Sequence, residues 1–109
     1  MKVYFSEDTP LSEYEAVNKG FRLDVFVETN GGVRRIQPYM IDRLQQDYEI
    51  CIETDGYYLM EPNMILAKET SKVVIIDTIK YLNERRYFQE LQAQEGVDLT
   101  KLILVYQDD

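Results

Sequence analysis

The chain has 109 residues, 45% of them hydrophobic and 29% charged, and its 20 acidic and 12 basic residues give a formal charge of -8. This length and composition are typical of one folded domain, so we expect a single domain over residues 1–109. The negative charge argues against nucleic acid and membranes as partners, because phosphate backbones and anionic lipids would be repelled. Solubility alone can also account for such a charge.

The reactive side chains are few. The sequence has no histidine and a single cysteine, Cys51, so it lacks the commonest general base and the commonest neutral metal ligand. We therefore expect a protein that is not an enzyme and that binds no metal and no cofactor. One cysteine cannot form an internal disulfide, and the N-terminus has no signal-peptide core, which predicts a cytoplasmic protein. An enzyme that uses carboxylates alone is a minor alternative and would need two acids in one pocket.

The N-terminal region predicts a strand followed by a helix. Residues 2–5 are β-prone. Thr9 followed by Pro10 is typical of a helix start, because threonine caps the first turn and proline fits within it. Apolar residues at helical spacing extend this helix over residues 11–18, and Gly20 favours its end.

The next segment predicts a β-hairpin. Residues 21–29 alternate between apolar and polar side chains, and the following Asn-Gly-Gly offers the positive φ angles of a tight turn. Residues 33–37 should then return antiparallel. A Gly-Gly turn places Val27 opposite Ile36, whereas an Asn-Gly turn places Val25 opposite Ile36.

The stretch QDYEICIETDGYYLMEPN, residues 46–63, holds five carboxylates, three tyrosines and no basic residue. It follows a short helix predicted for residues 39–46. Isoleucines and acids alternate before an Asp-Gly pair, which predicts a second hairpin with its isoleucines, Tyr48 and Tyr57 facing the core. The opposite side would be an acidic docking surface. Its candidate partner-binding residues are Asp47, Glu49, Glu53, Asp55 and Tyr58.

The C-terminal part predicts a strand after Pro62, a helical region and a last strand over residues 102–106. The helical region begins at Thr70 or Ser71 and ends near Gly96, as two short helices or one kinked helix, although residues 73–76 are β-branched enough to form a strand. The whole order predicts an α+β fold, with a mostly antiparallel sheet and two to four helices packed on one face.

Two basic pairs, Arg34-Arg35 and Arg85-Arg86, stand out against the acidic background. Adjacent strand residues point to opposite faces, so such a pair cannot present both charges to one ligand. We expect Arg35 to balance an acid such as Glu28 rather than to meet a phosphate.

Two functional hypotheses follow. The first is a non-enzymatic protein-binding domain whose acidic surface docks onto a basic protein, for example a bacterial immunity protein that neutralises a basic toxin. The alternative is a structural or assembly module that forms a homodimer through a sheet edge, near Pro62 or near Tyr106, since unpaired edges template strand pairing.

Overall fold

The computed structural model describes residues 1–108 and contains one five-stranded sheet. Its elements in chain order are β1 (Lys2–Phe5), α1 (Pro10–Lys19), β2 (Val25–Thr29), β3 (Gly32–Tyr39), α2 (Ile41–Asp55), β4 (Met64–Leu66), α3 (Lys72–Glu84), α4 (Tyr87–Glu90), a 3-10 turn (Leu99–Lys101) and β5 (Ile103–Gln107). The strand order is β4-β3-β2-β1-β5, and only the β3–β4 pair is parallel. The predicted α+β class with a mostly antiparallel sheet is confirmed.

The hydrophobic core lies on one face of this sheet, because alternate strand residues point to the same side. Helices α3 and α4 cover that face with Ile75, Ile79 and Phe88. The sheet residues beneath them are fully buried: Val3, Phe5, Val25, Val27 and Ile36.

Several helix ends follow the local signals in the sequence. The Thr9 side chain accepts a hydrogen bond from the Ser12 amide and caps α1, and Ser71 accepts one from the Val74 amide and caps α3. The two-helix interpretation of the C-terminal region is confirmed, since α3 and α4 are separate. The second helix ends at Glu90 rather than near Gly96.

The first predicted hairpin is confirmed in the register of the Asn-Gly turn, with Val25 opposite Ile36. Strand β2 begins at Val25, four residues later than the alternation indicates. The Asp24 carboxylate accepts hydrogen bonds from Arg22 Nε at 2.7 Å and from the Ser6 amide at 2.9 Å. Phe21 still forms an isolated antiparallel bridge with Tyr39, so the ladder between β2 and β3 is interrupted at residues 22–24 rather than ended there.

The second predicted hairpin is wrong, because α2 occupies most of its length. The Asp-Gly pair read as a turn is the end of this helix: Gly56 has φ of 85° and its N–H donates to the carbonyls of Cys51 and Ile52. Glycine adopts this left-handed conformation without penalty, so the same dipeptide serves a helix end as well as a hairpin. Arg43 and Asp47, four residues apart, add an ion pair at 3.1 Å within the helix.

Candidate functional site: an apolar groove beside α2

Helix α2 lies on the surface and contains no buried residue. Three contacts hold one of its sides to the rest of the protein. The Met40 N–H donates to the Gly20 carbonyl at 2.8 Å, the Arg43 guanidinium lies 4.6 Å from the centre of the Phe21 ring, and Arg43 Nη1 reaches the Lys19 carbonyl at 3.5 Å. A second side of α2 faces the segment that follows the helix, and Ile50, Glu53 and Thr54 are exposed to solvent.

The segment after α2, residues 57–63, folds back and forms a second wall. Gln37 anchors this segment by donating Nε2 to the Glu61 carboxylate at 2.8 Å and to the Asn63 side-chain oxygen at 3.1 Å. Asn63 in turn donates to the Arg35 carbonyl at 3.0 Å. Because Gln37 belongs to β3, the segment is fixed to the sheet.

Between α2 and residues 57–63 lies an open groove of about 520 Å³. Tyr48 and Tyr58 meet edge to face across it, with ring centroids 6.4 Å apart. The helix contributes apolar side chains every three or four residues, which places them in one stripe. The groove is lined by Ile41, Leu44, Gln45, Tyr48, Ile52, Tyr58 and Met60.

An acidic stripe runs beside the apolar one. Its members each follow a groove residue by one position, about 100° further around the helix axis. These acids are Asp42, Glu49 and Glu53, after Ile41, Tyr48 and Ile52. The whole segment 41–61 holds six acids and one base, a net charge of -5, with Asp42, Asp47, Glu49, Glu53, Asp55 and Glu61 against Arg43.

The structure distributes the five predicted partner-binding residues over different positions. Glu49 and Glu53 are exposed on the acidic stripe, and Asp55 is exposed in the last turn of α2. Asp47 instead pairs with Arg43 on the side of the helix held to the protein. Only part of the predicted acidic surface therefore exists as one surface.

The expected orientation of the aromatic and isoleucine side chains is reversed. Tyr58, predicted to face solvent, is half-buried in the groove wall, and burial raises its pKa, as do the nearby Tyr39 and Asp47. Tyr48 and Tyr57, predicted to face the core, are exposed. Ile50 and Ile52 are exposed as well: Ile50 faces solvent, and Ile52 borders the open groove.

The residues that sequence reasoning missed are the apolar stripe of α2. Ile41, Leu44, Tyr48 and Ile52 recur at intervals of three, four and four residues, which is a helical signal. The alternation of Tyr48, Ile50 and Ile52 with acids masked it. Tyr48 and Ile52 satisfy both periods over so short a window.

A second exposed apolar surface lies at the edge of the sheet. Strand β5 is terminal in the strand order, and Ile103 and Leu104 are both partly exposed. The opposite edge is the three-residue strand β4. The sequence analysis named Pro62 and Tyr106 as candidate edge positions. Pro62 lies two residues before the edge strand β4, and Tyr106 lies within the edge strand β5.

Two further findings concern residues 1–108. No group of three or more cysteine, aspartate and glutamate side chains in this range is arranged to hold a metal ion. No helix in this part of the chain has both the length and the apolar character needed to cross a bilayer. Cys51 is a half-buried thiol on α2.

Comparison with known proteins adds no family to these observations. No protein-family model matches the chain, and no curated protein and no solved structure is significantly similar to it. The geometry of the chain is therefore the basis for a functional assignment.

Proposed function

We propose that this protein is a non-enzymatic binding domain that docks a basic, amphipathic segment of a partner protein into the groove beside α2. The observation that carries this proposal is an amphipathic helix of 15 residues whose apolar stripe is left uncovered by the rest of the protein. Uncovered apolar surface rimmed by polar residues is typical of protein-binding sites. Grooves of this form accept the apolar face of a partner helix.

The charge around the groove selects the kind of partner. The acidic stripe of Asp42, Glu49 and Glu53 would attract lysine and arginine side chains flanking an apolar face. A second copy of this chain would instead bring one acidic stripe against another, which is repulsive. A cationic partner is therefore favoured over self-association at the groove.

The aromatic side chains of the groove suit it to binding. Tyr48 and Tyr58 present large, rigid surfaces with polar tips, and Tyr57, which precedes Tyr58 in the sequence, is exposed. Tyrosine is enriched among the residues that contribute most to binding energy at interfaces. These three tyrosines would anchor the apolar face of the partner.

An immunity protein that neutralises a basic toxin is the specific form of this proposal. An acidic inhibitor would reach such a toxin rapidly through electrostatic attraction and hold it through the apolar groove. A neighbouring reading frame that encodes a secreted protein with a basic terminal domain would identify the partner.

Affinity capture from the source cell with the full-length chain tests the proposal. We expect a basic protein to bind, and we expect Ile52→Ser to weaken its measured affinity at least about tenfold by removing apolar surface from the groove. Val73→Ser is the matched control, since Val73 is an exposed apolar residue on α3 outside the groove. Failure to recover any basic protein, or equal losses in both variants, would contradict the proposal.

A second candidate function, self-association through β5, rests on a different observation. The β5 edge presents unpaired backbone groups over five residues that include no charge and no proline, and natural edge strands usually carry such blocking features. Antiparallel pairing about a two-fold axis near Leu104 or Val105 would bring Lys101 of one copy close to Asp108 of the other.

Sedimentation of the wild type and of Leu104→Lys tests self-association. A dimer that Leu104→Lys converts to a monomer supports assembly through this edge, because a lysine there obstructs strand pairing. A wild type that stays monomeric at the highest soluble concentration rejects it. Neither result affects the groove, which lies at the opposite end of the sheet, next to β4.

A further inference from the structure

Arg34 is a buried cation whose hydrogen-bond partners are all neutral. Its side chain is 8% exposed. Nε donates to the Leu91 carbonyl at 3.2 Å, and Nη1 donates to Thr29 Oγ1 at 3.0 Å and to the Gly32 carbonyl at 3.4 Å. Within residues 1–108 no carboxylate forms an ion pair with it. A charge removed from water without a counterion is costly, so this arrangement calls for an explanation.

One nitrogen of this guanidinium keeps its hydrogen-bonding capacity. Among the described residues Nη2 has no partner, yet no fully buried side-chain nitrogen or oxygen lacks one. Nη2 is therefore accessible from outside. It lies against Gly31, where an added Cβ would come within 2.8 Å of it.

The space that Nη2 reaches is a pocket of about 220 Å³ between the β2–β3 turn and the start of α4. Its lining has several side chains with amide or hydroxyl groups and two arginines, and it contains no acidic residue. The lining residues are Met1, Thr29, Asn30, Gly31, Arg34, Asn83, Arg86, Phe88 and Gln89.

Arg86 is the second cation of this pocket. It makes no ion pair within residues 1–108, and it is the only non-glycine residue in that range with a positive φ, at 61°. A left-handed backbone costs an ordinary residue about 1 kcal/mol or more, and such strain concentrates at functional sites. This conformation places Arg86 in the lining of the pocket, 52 positions after Arg34 in the chain.

We propose that this pocket binds a small oxyanion, either inorganic phosphate or the phosphate group of a small monoester, between Arg34 and Arg86. The planar fork of a guanidinium matches the oxygens of a phosphate. A phosphate offers enough acceptors to engage two guanidinium groups and the neighbouring amides together, whereas a carboxylate has two oxygens. The pocket is smaller than most ligand sites, which begin at about 300 Å³, and this favours a compact ligand.

The proposal reverses the sequence-based expectation for the two basic pairs. Each pair contributes one arginine, because the other member of each pair points elsewhere. Arg35 donates to the Leu23 carbonyl at 2.7 Å rather than pairing with Glu28, and the Arg85 guanidinium lies 4.4 Å from the centre of the Tyr81 ring. Adjacent residues do diverge as predicted, but the fold joins one arginine from each pair.

A phosphate titration of the full-length protein at constant ionic strength tests the proposal. The NMR signals of the Gly31 and Gly32 backbone amides report binding. We expect saturable shifts in the wild type and an affinity at least about tenfold lower in Arg86→Gln, because a charge-assisted hydrogen bond is lost. Arg85→Gln is the matched control: it removes the same charge one residue away and should bind within about twofold of the wild type. No saturation at about 10 mM phosphate, or equal losses in both variants, would overturn the proposal.

Two further measurements separate the pocket from general electrostatics. Gly31→Ala should weaken phosphate binding without any change in charge, since the new methyl group would lie 2.8 Å from Nη2 and 2.9 Å from Nη1 and displace the guanidinium. Phosphate should bind more tightly than acetate, and equal affinities would reject the phosphate assignment. Titration with glycerol phosphate distinguishes the two sources: tighter binding than inorganic phosphate indicates a monoester, and weaker binding indicates the free ion.

Discussion

Helices α2 and α3 are similar in length and opposite in environment. Both are amphipathic, and α3 places Ile75 and Ile79 at full burial over the sheet, whereas α2 buries no residue at all. Helical stability in proteins comes mainly from packing of the apolar face. An apolar stripe therefore identifies the side of a helix that is suited to packing. Whether this side packs against the same chain depends on the tertiary fold.

The largest expected change in stability comes from shortening a buried side chain of α3. Ile79→Ala should lower the free energy of unfolding by about 3 to 4 kcal/mol, because it removes a fully buried side chain and leaves a cavity against the sheet. Urea denaturation followed by circular dichroism measures the change. A loss below about 1 kcal/mol would show that Ile79 of α3 does not pack in the hydrophobic core.

Two arginine–aspartate ion pairs differ in burial in the same way as the two helices. Arg22, paired with Asp24, is 5% exposed, whereas Arg43, paired with Asp47, is 35% exposed. Asp24→Asn should cost about 2 kcal/mol by leaving a buried cation poorly compensated. Asp47→Asn should cost less than about 1 kcal/mol. Equal losses in the two variants, measured by urea denaturation near neutral pH, would contradict this ranking.

The cost of Asp24→Asn should also depend on pH. Burial opposes ionisation of Asp24, but hydrogen bonds from Arg22 and Ser6 outweigh it and hold the pKa below its ordinary value of 3.8. A carboxylate with a lowered folded pKa stabilises the protein above its unfolded pKa and loses that contribution as the pH falls through the folded one. The difference between wild type and variant should therefore shrink below about pH 3.8. A difference that stays constant would assign the effect to packing.

Removing the N-terminal cap of α3 should have a smaller effect on stability. Ser71→Ala should reduce stability by about 1 kcal/mol, because the Val74 amide loses its side-chain acceptor. Ser71→Asp serves as the control variant, since it keeps an acceptor and adds a favourable charge at the helix start. Thermal unfolding monitored by calorimetry distinguishes the two.

The smallest expected effect lies in the open helix. Ile52→Ala should change the free energy of unfolding by less than about 0.5 kcal/mol, because this isoleucine is 40% exposed and borders the open groove. Alanine also favours helix over isoleucine by a few tenths of a kcal/mol. A loss comparable to that of Ile79→Ala would mean that the groove is a closed core rather than a docking site.

The sequence was most predictive where the signal is local. Thr9 and Ser71 act within one turn of the residues they cap, so their roles depend on little else. The Asn-Gly-Gly segment after β2 narrowed the first hairpin to two registers, and the observed one was among them. These signals define helices α1 and α3 and the β2–β3 hairpin, which is why the α+β class could be predicted.

The candidate site was predicted poorly for a physical reason. Tyr48 and Ile52 fit both the helical and the strand period, and the Asp55-Gly56 pair suits a hairpin turn and a helix end equally. Only tertiary contacts separate these outcomes, such as Arg43 against Phe21. The pocket between Arg34 and Arg86 lay further beyond sequence reasoning, since no local pattern links residues 52 positions apart.

The surface position of α2 also has a consequence for dynamics. Because no α2 side chain is buried, this helix can unwind while β1, β2 and α3 stay intact, at a cost below that of global unfolding. Its backbone amides should then exchange with deuterium well before those of α3, and a bound partner should slow α2 selectively. Helix α2 and residues 57–63 would thus be protected from slow hydrogen exchange only when a partner fills the groove.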